Sequence, residues 1–206
     1  MSMEKDNMQQ SSYHMSKEQL KNEMLLVQMA QNNVKEFGPL YNKYYKQIFV
    51  FVIRRTEDEV IAADVTSNVF IKAMKNIKKF KFKGFPFSAW LYRIASNEVS
   101  QYYRNNKKER IVYCEQQALI DMGSSIKEKT IEDQEEAEIL SKSLLDVLQI
   151  LSTKEMELIE LRFFEKKPFK EIGNILDITE NNAKVRIYRI LTKLRGKINS
   201  SNFAKE

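Results

Sequence analysis

Apolar residues recur along this chain at three- and four-residue steps, the period of helices with one buried face. Leu20, Met24 and Val27, with the Leu25–Leu26 pair, predict a first helix from Lys17 that fades near Asn32 and Asn33. Phe37, Leu40, Tyr41, Tyr44, Tyr45, Ile48, Phe49 and Val52 predict a second, core-forming helix. A third opens on Glu57, Asp58 and Glu59, where carboxylates suit the positive helix end, and runs through Ile61, Asp64, Val65, Val69, Phe70 and Met74 to about Lys79. Phenylalanines interleaved with Lys81, Lys83, Gly84 and Pro86 then predict a loop. The loop feeds a helix. In that helix Phe87, Leu91, Ile94 and Ala95 share one face, and Trp90, Arg93, Asn97, Gln101 and Arg104 share another.

Periodicity weakens from Ile111 to about Glu138 while acids accumulate, which predicts a linker. A new apolar face starts at Ile139, Leu140, Leu144 and Leu145. Ser152 and Glu155 form an S-x-x-E capping box before Met156, Leu158, Ile159, Leu161, Phe163 and Phe164. Pro168 suits a first helical turn, and Phe169, Ile172, Ile175 and Leu176 form a short helix behind it. Asp177 and Ile178 make a turn, Thr179 caps a further helix through Arg195, and Gly173 is small enough for a close helix crossing. This is the helix-turn-helix plan.

With 5 glycines and 3 prolines in 206 residues the chain is poor in hairpin turns. The expected fold is all-α: two small helical domains joined by a flexible acidic linker. The domains span 17–110 and 139–206, after a disordered leader at 1–16, with the linker at 111–138.

Net charge is +6, and its distribution says more than its sum. Residues 22–110 carry 16 basic and 8 acidic groups, whereas 111–143 carry 3 and 8. Basic blocks attract polyanions, of which nucleic acid is the commonest, although an anionic membrane surface or plain solubility also accounts for them. Rings beside cations in 80–104 suit unstacked bases, since rings stack on base faces and cations meet phosphates; the same rings also suit an ordinary core.

Other chemistry finds little support. One cysteine, Cys114, forms no internal disulfide, and the single His14 has no ligand-like neighbours, so neither metal nor cofactor is expected. No Gly-rich phosphate loop appears, and no enzyme is expected. Neither a signal peptide nor a membrane span is evident, which predicts a cytoplasmic protein without stable membrane insertion.

The run F-S-A-W-L-Y-R-I-A-S-N, with basic Arg104 behind it, resembles the DNA-melting segment of bacterial RNA polymerase sigma factors of the extracytoplasmic-function (ECF) group. The resemblance covers Met24–Lys108 and Leu148–Lys197. It implies a dissociable, non-catalytic subunit that binds core RNA polymerase at its clamp and flap regions, reads two promoter boxes and helps to melt the DNA. Its partners would be double-stranded and melted promoter DNA, and an anti-sigma factor that masks the polymerase-facing surface. The implied minus-ten and melting residues are Lys83, Gly84, Phe85, Phe87, Arg93, Asn97, Gln101 and Arg104. The implied minus-thirty-five readers are Thr179, Asn181, Asn182, Lys184, Arg186, Tyr188 and Arg189, side chains of the kind that meet base edges and phosphates in a major groove. The implied polymerase-docking residues are Asp64, Val65, Asn68, Val69 and Phe70.

Departures occur. Ser67 and Asn68 stand where the family usually has Gln followed by an acid, Ile61 replaces an earlier acid, and Asn181-Asn182-Ala183 replaces the common Gly-Thr-Val. The alternative reading is a helix-turn-helix regulator that never joins polymerase, with the first domain as a sensor or dimerisation unit.

Overall fold

The computed structural model describes residues 16–56, 58–106, 119, 122–123, 144 and 147–203. Among these no strand occurs, and the chain divides into two compact units. The first runs to Ile111 and the second begins at Val112, with Asn174–Asp177, the end of the helix Phe169–Leu176 and the residue after it, grouped with the first. The leader, His14, Cys114, the basic run at Lys107, Lys108 and Arg110, and most of the acidic connector lie outside the described residues. Within the connector, Leu119 and Met122 are helical and buried, so part of it is packed rather than solvated.

Helix α1 (Lys17–Asn32) starts in a capping box in which Ser16 Oγ accepts from Gln19 N and the Gln19 side chain accepts from Ser16 N. The 3₁₀ turn Val34–Phe37 leads into α2 (Gly38–Thr56). Asp58 caps α3 (Glu59–Asn76), its Oδ1 accepting from Val60 N at 2.9 Å and Ile61 N at 3.0 Å. A second 3₁₀ turn, Ile77–Lys79, delivers the chain into the 80–86 loop and then α4 (Phe87–Asn106). Helix α3 packs on both α2 and α4. Their shared core holds Leu40, Ile48 and Val52 of α2, Val69 and Ala73 of α3, and Leu91, Tyr92 and Ala95 of α4.

Three expectations shift here. On α1 the buried line is Glu23, Val27 and Ala30, whereas Met24 and Leu25 are exposed. On α4 Tyr92 is fully buried, edge-on to Phe51 at 4.8 Å, and Ile94 is only half-buried. Tyr41, Tyr45 and Phe49, expected in the core, instead form a partly exposed row of rings along α2, with Tyr41 also edge-on to Phe70 at 4.9 Å.

In the second unit the capping box forms as the spacing predicts, and α5 spans Thr153–Ile159. The helix then widens into a π turn, Glu160–Phe164, closed by Glu165 N donating to Glu160 O at 2.9 Å. Lys166, at φ 48°, ends it. Helices α6 (Phe169–Leu176) and α7 (Glu180–Phe203) follow, and α7 continues past the expected Arg195. Asp177, at φ 59°, makes the left-handed corner between them. At Gly173 an added Cβ would lie 2.8 Å from Ile178 O, so the turn and the start of α7 press against bare backbone. Ala183, Ile187, Ile190, Leu191 and Leu194 are all buried, the inward face that the sequence predicts.

Candidate nucleic-acid interface

The 80–86 loop is fixed at its base and open at its tip. Phe80 packs against Phe87 at 5.2 Å and Trp90 at 5.1 Å, and Phe87 meets Trp90 at 5.4 Å. Three rings thus nail the loop's start to the first turn of α4. At the tip, Lys83 and Gly84 are exposed and Phe85 is half-buried. Gly84 sits at φ 78°, a backbone conformation that a residue with a Cβ rarely adopts, and open space surrounds it. Along α4, Asn97, Gln101 and Arg104 are exposed and Arg93 is half-buried. Gln101 accepts from Arg104 Nη2 and donates to Asn105 Oδ1 at 2.8 Å, which holds the three polar side chains together.

Phe87 does not belong with these. It is 1% exposed, enclosed by Phe37, Tyr44, Phe80 and Trp90, and cannot reach a base. Its ring supports the loop instead. The same correction applies on α3: Val65, Val69 and Phe70 are buried within the bundle, because positions 65, 69 and 70 lie on the face packed toward the core. Asp64, Ser67 and Asn68 form the exposed edge available to a partner.

On α7 the outward set is Asn181, Lys184, Arg186, Tyr188 and Arg189, all exposed, with Asn182 half-buried. Asn181, Lys184, Tyr188, Arg189 and Thr192 line one shallow concavity. Thr179 Oγ1 accepts from Asn182 N at 3.2 Å, so Thr179 acts as the helix cap, and Asn182 Oδ1 accepts from Arg186 Nε at 2.7 Å. Tyr188 is backed by Phe169 of α6 at 6.2 Å, whose ring lies under the Arg162 guanidinium at 4.4 Å. The Lys184 ammonium stands 6.0 Å from the Tyr188 ring. The arrangement is a cationic face with an aromatic centre, on a helix held in place by Lys193 Nζ donating to Glu155 at 3.0 Å. Glu155's carboxyl is lowered below its ordinary value, first by the Ser152 backbone N–H and then by Lys193.

Two residues outside the sequence-predicted set form hydrogen bonds at the loop's two ends. Glu23, 1% exposed, accepts from Phe87 N at 2.5 Å, from Lys43 Nζ at 3.1 Å and from Tyr44 OH. Gln31 Nε2 donates to Ile77 O at 3.0 Å and Phe80 O at 2.9 Å. The signal for Glu23 is its phase, since it stands in line with Val27 and Ala30 on the buried stripe of α1.

The family model for Sigma-70 region 2 matches residues 40–109, and that for Sigma-70, region 4 matches 147–196, together more than half of the chain. The chain belongs to the sigma-70 family of RNA polymerase sigma factors. It is 27% identical over 172 residues to the ECF RNA polymerase sigma factor BldN of Streptomyces coelicolor, covering 83% of this chain and 64% of BldN. It is 29% identical over 189 residues to the ECF RNA polymerase sigma-E factor of Haemophilus influenzae, covering 88% and 97%. The structure of CnrH in complex with the cytosolic domain of CnrY superposes with a TM-score of 0.55 at 20% identity, covering 89% of this chain and 99% of that one, a likeness of fold.

This sigma factor therefore binds core RNA polymerase and directs promoter recognition and transcription initiation. The match to Sigma-70 region 2 falls on the first unit, and that to region 4 falls largely on the second. Sigma factors are non-catalytic polymerase subunits. Among the described residues no helix is long and apolar enough to cross a membrane.

Proposed function

We propose that this sigma factor, a non-catalytic cytoplasmic subunit, divides its work between 17–110, which docks on polymerase and holds the melted minus-ten strand, and 139–206, which reads the minus-thirty-five box. Lys83 meets a phosphate, Gly84 lets backbone approach the strand closely, and Phe85 stacks on an extruded base. Extrusion costs a few kcal/mol of stacking, which a pocket with ring and amide partners offsets. Asn97 supplies the amide, and Arg93, Gln101 and Arg104 follow the backbone away from it. In the major groove Asn181, Lys184, Tyr188 and Arg189 face the base edges, while Asn182 and Arg186 act as a bonded pair beside them.

Polymerase docking rests on Asp64, Ser67 and Asn68. Uncharged Ser67 and Asn68 leave Asp64 as the acid of that set and make the rest of the contact depend on hydrogen bonding. Where the structure of CnrH includes the cytosolic domain of CnrY, a comparable partner here would be an anti-sigma factor covering the docking edge.

The observation that carries this reading is the exposed Lys83–Gly84 tip, at φ 78° for Gly84, directly before a helix with exposed Asn97, Gln101 and Arg104. The test is the double substitution Phe85→Ala with Asn97→Ala. Permanganate-detected opening should fall while competition for core against another sigma factor is retained. Equal loss of both, or of neither, removes these roles.

A further inference from the structure

We infer that the first helix, α1, is a clamp that sets the melting loop, with Gln31 and Glu23 as positioning residues for promoter opening. The inference rests on the loop reading above and names what holds that loop in shape.

Beside the ring packing of Phe80 on Phe87 and Trp90, α1 supplies a hydrogen-bonding side chain at each end of residues 80–86. Gln31 uses a single amide nitrogen to bind two carbonyls at the loop's entry, Ile77 O at 3.0 Å and Phe80 O at 2.9 Å. Ile77 O opens the 3₁₀ turn Ile77–Lys79 and also accepts from Phe80 N at 3.0 Å, whereas Phe80 O stands at the turn's C-cap, past the last helical residue. Glu23 binds the loop's exit, accepting the first amide of α4, Phe87 N, at 2.5 Å. Pro86, just before, has no N–H to give, so the Glu23 carboxylate is the anionic cap of that helix start.

Gln31 and Glu23 lie about two turns apart on one rigid helix, so the spacing of entry and exit is fixed by α1. Lys43 and Tyr44 hold the carboxylate in turn. Glu23, Gln31, Phe80, Phe82 and Phe87 line one small cavity, which brings clamp and loop base into direct apposition. The tip, Lys83 and Gly84, stays exposed. A base-capturing tip needs its ends held, because each loop conformation that misses the extruded base dilutes the competent one. The clamp removes that dilution without touching DNA.

The experiment uses the full chain with purified cognate core polymerase, on promoters recovered from a transcribed library. Gln31→Leu removes both donors at similar volume, and Gln31→Met is a second variant should the first fold poorly. Glu23→Leu removes the cap, whereas Glu23→Gln keeps an acceptor oxygen for Phe87 N. Opening is read by permanganate reactivity of promoter thymines, docking by competition for core, and folding by far-ultraviolet circular dichroism. Loss of two hydrogen bonds predicts a fall in opening on the order of tenfold for a Gln31 variant, with core competition and helicity unchanged. Glu23→Leu should behave alike, and Glu23→Gln should recover most of the opening.

Gln31 variants that open promoters like the parent, while Phe85→Ala fails, overturn the clamp and leave the loop reading standing. Normal opening by Phe85→Ala removes the loop reading, and the clamp with it. Parallel loss of opening, docking and helicity reduces Gln31 and Glu23 to ordinary structural residues and overturns the inference.

Discussion

The Glu23 carboxylate accepts the backbone N–H of Phe87 at 2.5 Å, across 64 positions of sequence. One buried acid thereby ties the first helix to the start of the helix that carries Asn97, Gln101 and Arg104. Replacing it with Leu strands the Phe87 amide and the Tyr44 hydroxyl together, while the exposed Lys43 ammonium turns to water. The expected cost is about 2–4 kcal/mol, the sum of a lost cap and a buried unsatisfied donor. Urea unfolding of the first unit followed through Trp90 fluorescence should show it, with Glu23→Gln less affected.

Gly173→Ala should weaken the second unit. The added Cβ meets Ile178 O at 2.8 Å and Glu180 N at 3.2 Å, both backbone atoms, so the turn itself must move. A cost of about 1–3 kcal/mol is expected. Thermal unfolding of the variant, together with weaker binding of minus-thirty-five duplex, checks it.

Lys184→Ala and Arg189→Ala should separate from Asn181→Ala. Each lost cation at the groove lowers duplex affinity and reduces the salt dependence, the slope of log K against log[salt] falling by about 1 per phosphate contact removed. Asn181→Ala should leave the slope unchanged and relax sequence preference. Salt titrations on promoter and scrambled duplexes distinguish the two behaviours.

Acid should loosen the second unit through Glu155. Its folded-state carboxyl is lowered from the ordinary 4.5 by the Ser152 N–H and Lys193, so the stability it contributes is complete above that value and is lost as pH falls through the lowered one. Glu155→Gln should lower the melting temperature near neutrality and flatten its dependence on pH in the acid range. Melting curves from pH 7 down to about pH 3 measure it.

Much of the helical plan is legible in the sequence because local rules and burial agree. Ser152 with Glu155, Thr179 before its helix, and the stripe Ala183–Ile187–Leu191–Leu194 each specify one structure, and each forms. The roles of individual residues are less legible. Phe87, Val65, Val69 and Phe70 fall within binding motifs, yet motif membership does not say which face a helix buries, and all four are buried here. Glu23 stands in phase with the buried stripe of α1, yet an acid there reads as solvent-facing until its partner, an amide far along the chain, is known. The π turn Glu160–Phe164 has no residue pattern of its own, and periodicity reads it as continued helix.

A sigma factor of this kind tells core polymerase where to start. Transcription from a promoter library by purified cognate core polymerase, with and without the chain, tests it most directly. Initiation that depends on the chain and converges on one shared two-box motif is the predicted result. A core enzyme that neither binds the chain nor initiates with it would contradict the account.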